Sequence, residues 1–162
     1  MPDPEPSPKG RFNWVHWLLV AAIVVILGDL LRQPIRKPYS ICDAAIEGNL
    51  AKVKEMLERE PKLMEYKEGH HGTPLLCAAG QCKKDVVEFL LSKGAKVTAR
   101  NWLGRTSLHA ACHCDKDLIE LLLANGADVN ATDYDGITPT HWAIQWGSKE
   151  AADLLHQHGG HE

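Results

Sequence analysis

Apolar residues follow two different patterns along this chain. In FNWVHWLLVAAIVVILGDLL, Phe12 to Leu31, they are nearly continuous, and Trp17 to Gly28 carries no polar side chain. From Ser40 onward they recur in short stripes at helical spacing, as in Val86, Val87, Leu90 and Leu91, or Leu118, Ile119, Leu122 and Leu123. The first pattern predicts one uniformly apolar helix, and the second predicts amphipathic helices that share a core.

The apolar segment is long enough to span a bilayer, since about 20 helical residues cover roughly 30 Å. His16 and Asp29 lie near its ends, where polar groups cost less than at the centre. Trp14 and Trp17 lie where interfacial aromatics are common. Residues 12–31 are therefore expected to form a single-pass membrane helix. Two alternatives stay open: a cleaved signal peptide, although no A-x-A site follows, and a helix buried against the domain. Residues 1–11, rich in proline and charge, are expected to be a disordered tail. Residues 32–39, with Pro34 and Pro38, read as a short stiff linker. Lys9 and Arg11 precede the apolar segment, and Arg32, Arg36 and Lys37 follow it. This slightly favours a cytoplasmic C-terminal part.

The remainder repeats itself. GTPLLCAAGQCKKDVVEFLLSKGAKVTA from Gly72, RTSLHAACHCDKDLIELLLANGADVNA from Arg105 and ITPTHWAIQWGSKEAADLLHQHGG from Ile137 align throughout. Thr73, Thr106 and Thr138 are spaced by 33 and 32 residues, and Gly94, Gly126 and Gly159 by 32 and 33. A degenerate copy, ICDAAIEGNLAKVKEMLEREP, precedes them. Each threonine stands where a helix N-cap is needed, and Pro74 and Pro139 occupy first helical positions. A period near 33 with T-P-L-H-x-A lettering resembles the ankyrin repeat. The resemblance implies an all-α repeat solenoid of stacked helix-turn-helix units with short hairpin-like loops. Four repeats are expected, at about 40–71, 72–104, 105–136 and 137–162.

Departures from the repeat are expected to mark irregular points. Gly48 and Gly147 occupy the turn between paired helices, but Cys82 replaces them in the second repeat. The third repeat is one residue short around Cys114-Asp115-Lys116. The first loop, YKEGHHG, lacks the usual D-x-x-G-x-T spacing.

Candidate chemistry changes this picture little. The stretch TSLHAACHCDKD places His109 and His113 four apart, so one helix face could present both to a metal. The resemblance, however, gives His109 a local structural role, so no metal is expected there. The terminal His156, His158 and His161 offer weak metal binding at most. Cys112 aligns with buried packing positions, which argues against a thiol nucleophile. Five cysteines at irregular spacing make a poor disulfide framework, and free thiols suit a reducing compartment. The net charge of −3 gives no broad attraction to nucleic acid. No phosphate loop, G-x-S-x-G or H-E-x-x-H occurs, so no catalytic residue, no cofactor and no enzyme activity are expected.

The resemblance implies a protein partner instead. In the family, contacts come from loop tips and from the concave face of the first helices. Carried over position by position, these are Trp102, Leu103 and Arg105, then Tyr134, Asp135 and Ile137, with His113, Cys114, Gln145 and Trp146 on the first helices. Trp102, Tyr134 and Trp146 are expected to form one aromatic patch, and Trp142 to be core. The function expected is a membrane-tethered adaptor without catalysis. The alternative is an exported, soluble repeat domain with a weakly metal-binding histidine tail.

Overall fold

A hydroxyl residue in extended conformation opens each first helix. Ser40, Thr73, Thr106 and Thr138 have ψ of 166°, 162°, 172° and 162°. The first helices are α1 (Ile41–Glu47), α3 (Pro74–Ala79), α5 (Ser107–Ala110) and α7 (Pro139–Gln145). Each is followed through a tight turn by a second helix: α2 (Leu50–Arg59), α4 (Lys84–Ser92), α6 (Lys116–Ala124) and α8 (Lys149–Gln157). A 3₁₀ turn, Pro61–Glu65, follows α2. This computed structural model describes residues 39–162. The expected tail, membrane helix and linker lie outside the described residues, apart from Tyr39. Among the described residues there is no strand, only an isolated bridge between Glu68 and Gly72, and no helix is long and apolar enough to cross a membrane.

The first helices pack in one row, α1 on α3, α3 on α5 and α5 on α7. The second helices form another, with α2 on α4 and α6 on α8. Of the predicted stripes, Val86, Val87 and Leu90 on α4 and Leu118, Ile119 and Leu122 on α6 are buried between the rows, while Leu91 and Leu123 are half-buried; Leu154 and Leu155 on α8 are buried likewise. Burying each leucine of this kind contributes about 2 kcal/mol. Alanines 44, 45, 78, 79 and 111 are fully buried and let neighbouring first helices approach closely. Ile144, aligned with buried Ala79 and Cys112, is 44% exposed instead. It belongs to the fourth repeat, where none of the described helices packs beyond it.

Gly94, Gly126 and Gly159, in register across the repeats, close their second helices in the left-handed conformation, with φ of 88°, 85° and 84°. Ala95, Ala127 and Gly160 donate to the carbonyls of Leu90, Leu122 and Leu155, five residues back. That is the double hydrogen-bonded cap that a left-handed residue permits. The turns between paired helices are less uniform. Gly48 and Gly147 have φ of 75° and 71°, and Cys82 adopts the same conformation with φ 54°. It is the one non-glycine residue with positive φ among the described residues. A side chain there costs about 1–2 kcal/mol. In the short third repeat α5 keeps only four helical residues, and the chain passes through turns to Asp115.

The capping expectation needs correction. Thr138 Oγ1 accepts from the His141 amide at 3.3 Å, as a cap should. The Thr106 hydroxyl instead faces His109 Nδ1 at 2.9 Å. Thr73 Oγ1 is buried and has no hydrogen-bond partner. Leu76 stands where His109 does, so no ring nitrogen reaches that hydroxyl.

His109 ties two repeats together. Its Nδ1 accepts from the Thr106 amide at 3.1 Å, and its Nε2–H donates to the Ile137 carbonyl of the next repeat at 3.1 Å. Burial lowers its pKa, and this outweighs the opposing effect of the Ile137 hydrogen bond. The folded state therefore holds the neutral ring, while the unfolded ring takes up a proton below about pH 6.5. His109 thus contributes stability that is complete above that pH and declines as pH falls. The Tm of the native chain should drop on going from about pH 7.5 to about pH 5.5. His109→Gln should lower stability by about 1–3 kcal/mol at the higher pH and flatten that dependence. Equal pH slopes in the two proteins would remove His109 from this role.

Candidate protein-interaction surface

The loops between repeats are built on a polar side chain that holds its own backbone. Asn101 Oδ1 accepts from the amides of Leu103 and Arg105, each at 3.0 Å. Asp133 Oδ1 accepts from the amides of Asp135 and Ile137, each at 3.0 Å. The Asn101 amide then reaches the Arg105 carbonyl, and the Asp133 amide the Ile137 carbonyl. These two closures make matching hairpin-like tips. The first loop has Glu68 at the matching position: its amide reaches the Gly72 carbonyl and the His71 amide reaches the Glu68 carbonyl, but its side chain does not hold the loop amides as Asn101 and Asp133 do.

On these tips the expected interaction residues meet different fates. Trp102 is 56% exposed, with its ring edge-on to His70 at 4.8 Å between centroids. A groove beside it is lined by Ile46, His70, Leu76, Gln81, Trp102 and Leu103. Tyr134 is 74% exposed. Its amide donates to the Leu103 carbonyl, and its ring lies against Gly104, where an added Cβ would meet Cδ1 at 2.6 Å. Tyr134 is therefore anchored to the preceding loop along one ring edge while its other face is open. Asp135 is exposed and Ile137 half-buried, with the Ile137 carbonyl taken by His109.

Arg105 belongs to the framework. Its guanidinium stacks over the Trp142 ring at 4.0 Å and its Nε lies 3.4 Å from Asp133 Oδ2. Trp142 Nε1–H donates to the same carboxylate oxygen at 3.2 Å. Burial pushes the Asp133 carboxyl up, but the donors from Ile137, Trp142, Asp135 and Arg105 outweigh it and hold it below the usual range. The half-buried Trp142, expected in the core, packs against it through this network.

At the ends of the first helices His113, Gln145 and Trp146 are all exposed. The His113 and Trp146 rings meet edge-on at 4.9 Å, and Trp146 leans on Trp142 at 5.4 Å. Gln145 Nε2 lies 3.1 Å from His141 Nε2. Each aromatic residue of the expected patch has its own neighbour: Trp102 has His70, Tyr134 has Gly104 and Trp146 has His113.

The cysteines correct a further expectation. Cys82 and Cys114 are joined in a disulfide, while Cys42, Cys77 and Cys112 are free and buried. The two bonded residues occupy equivalent turns one repeat apart, at a separation of 32. Stacking at that period brings them together, a signal present in the spacing that isolated counting of cysteines misses. The bridge removes the support that five free thiols lent to a reducing compartment. Cys112 donates to the Leu108 and Pro139 carbonyls, and burial pushes its pKa up to about 12. Burial thus disfavours the thiolate that a nucleophilic cysteine needs. Both ring nitrogens of His109 are committed inward, so it does not share a metal with His113. Among the described residues the terminal histidines form no three-ligand group.

A family profile described as ankyrin repeats (3 copies) matches residues 41–133 and 99–162, most of the chain. The chain belongs to the ankyrin-repeat family. Ankyrin stacks present extended surfaces to other proteins, so protein interaction is the role the repeats imply. The repeats are 35% identical over 69 residues to the probable E3 ubiquitin-protein ligase XBOS32 of Oryza sativa subsp. japonica. They are 38% identical over 69 residues to the probable E3 ubiquitin-protein ligase XBOS33 of the same plant. Against the E3 ubiquitin-protein ligase XBAT32 of Arabidopsis thaliana the identity is 32% over 69 residues. Each match covers 42% of this chain, in its ankyrin part, and only 13–14% of the relative. The expectation of no enzyme activity is overturned by these relatives, which are named as E3 ubiquitin-protein ligases, although the match covers the ankyrin part only.

Framework and surface separate by measurement. Arg105→Ala should lower the unfolding free energy by about 1–2 kcal/mol, since it leaves Asp133 short of a donor and Trp142 unstacked. Asp135→Ala, on the same loop system, should stay within about 0.5 kcal/mol of the native chain. Urea unfolding of the two variants reads the difference, and the reverse order would return Arg105 to the interaction surface.

Proposed function

We propose that this chain is a membrane-tethered ankyrin-repeat module that holds a protein partner through its loop tips and first-helix ends. The observation that carries the reading is the exposure of Trp102, Tyr134 and Trp146, at 56%, 74% and 45%. Aromatic residues dominate interface energies, and each of these retains an open ring face. Leu103 beside Trp102, and His113 and Gln145 beside Trp146, extend the contact. Asp135 and Ile137 complete the tip that carries Tyr134. The tether is residues 12–31, supported by the uninterrupted apolar run from Trp17 to Gly28 within them and by the tryptophans at its start. The repeats face the cytoplasm on the charge distribution around that run. Tethering raises the local concentration of a partner, so modest affinity suffices.

A second reading draws on the relatives named as ubiquitin ligases. In it the repeats hold a protein that takes part in ubiquitin transfer. Its support is the 35% identity across 69 residues of repeat with a protein so named.

The triple variant Trp102→Ala, Tyr134→Ala, Trp146→Ala tests the surface. Partners captured by proximity labelling with the native full-length chain should be lost with the variant, while helical circular dichroism and Tm stay nearly unchanged. Collapse of the fold would assign the three residues to packing instead. Protease protection of a C-terminal tag on vesicles tests the tether. A full-length, embedded chain with an accessible tag on the cytoplasmic side is expected, whereas a soluble, shortened chain would favour export. Ubiquitin conjugates among the captured partners would support the second reading, and their absence would remove it.

A further inference from the structure

The turns of the second and third repeats bring together Cys82, His113 and Cys114. One ligand atom from each, two sulfurs and a ring nitrogen, lies within 4.8 Å of the others. Cys82 and His113 are exposed and Cys114 is half-buried, whereas Cys42, Cys77 and Cys112 are sealed in the core. We propose that this trio is a redox-gated metal site. With the cystine opened, Cys82 Sγ, Cys114 Sγ and the His113 imidazole bind one zinc-class divalent ion between the repeats.

The geometry is suited to both states. The two Cα atoms are 5.5 Å apart. Sulfurs bonded to a common tetrahedral zinc stand about 3.8 Å apart, from Zn–S bonds of about 2.3 Å. That separation is reached from the same backbone by rotation about the cysteine side-chain bonds. The frame is held on both sides. Cys82 sits in the turn into α4 and Cys114 in the turn into α6, and Lys84 on α4 pairs with Asp117 on α6 at 3.0 Å. The His113 ring packs against the Trp146 ring, with 4.9 Å between centroids and 73° between planes. The groove beside Cys114 also carries Asp115, Asp117 and Glu150, which favour a cation, along with Lys116. Two thiolates and one neutral imidazole are ligands that zinc prefers, and three protein ligands leave one position open for water or a partner's side chain.

The chemistry balances. Two equivalents of a thiol reductant break the Sγ–Sγ bond, are oxidised to their own disulfide, and leave one proton on each cysteine. Metal binding then forms two metal–sulfur bonds and one metal–nitrogen bond and releases both thiol protons to solvent. In either state the two turns are tied. The bond ties them in an oxidising setting, and the ion ties them where thiols are kept reduced.

The test uses the full-length chain and cobalt(II) as the probe. The chain is reduced with a water-soluble phosphine, desalted without oxygen and titrated. A thiolate-to-cobalt absorption band saturating at one equivalent is expected, displaced by zinc, with Cys82 and Cys114 shielded from alkylation in the mass spectrum. The oxidised chain should give no such band. Cys82→Ser and Cys114→Ser should abolish it, and His113→Ala should weaken binding by about tenfold or more. Histidine-only binding at the C-terminal end gives no thiolate band and so does not imitate the result. The proposal is overturned if the reduced native chain gives no band, if the band survives Cys82→Ser, or if reduction destroys the helical signal and cobalt does not restore it.

Discussion

A pair of short helices has an apolar face that it cannot cover by itself, and every other feature of this protein follows from that. Leu90, Leu122 and Leu155 occupy equivalent places on successive second helices and are all fully buried. Each is covered in part by a neighbouring repeat. Stacking at a period near 33 residues is thereby enforced, and the polar groups along the seam must be satisfied at the same period. His109 meets that demand by linking Thr106 to the Ile137 carbonyl. The Arg100 guanidinium does so by reaching the carbonyls of Gly104 and Thr132.

The same constraint divides the surface. Side chains needed to lock one loop to the next are withdrawn from contact with partners, as Arg105 is by Asp133 and Trp142. Others are held along one edge and left open on the other, as Tyr134 is on Gly104. On the proposed reading, aromatic faces are presented to a partner by a rigid frame, so little side-chain freedom is lost on binding.

Where the repeat departs from its pattern, new chemistry appears. The second repeat places a cysteine in a left-handed turn that glycine fills elsewhere, and the third places its own cysteine at the matching point. Closing a loop of 32 residues by such a bond stabilises the folded chain by about 3–4 kcal/mol on the loop-entropy account. This exceeds the conformational cost of the cysteine at that turn, about 1–2 kcal/mol. The irregular part of the stack is thus also its covalently tied part.

The sequence alone determined the repeat and most of its core. Thr73, Thr106 and Thr138 mark helix starts, and the stripes from Val86 and from Leu118 mark buried faces, because local spacing controls which side of a helix is apolar. The irregular turn at Cys82 was legible for the same reason. Tertiary structure alone decided what depends on a neighbouring repeat. Spacing does not say that Arg105 turns inward to Asp133. Nor does it say that Trp102 meets His70, that Tyr134 lies on Gly104 and Trp146 meets His113, or that Ile144 is left uncovered. Each of these outcomes is fixed by a side chain about one full repeat away or on an adjacent loop, and periodicity along one helix carries no information about that neighbour.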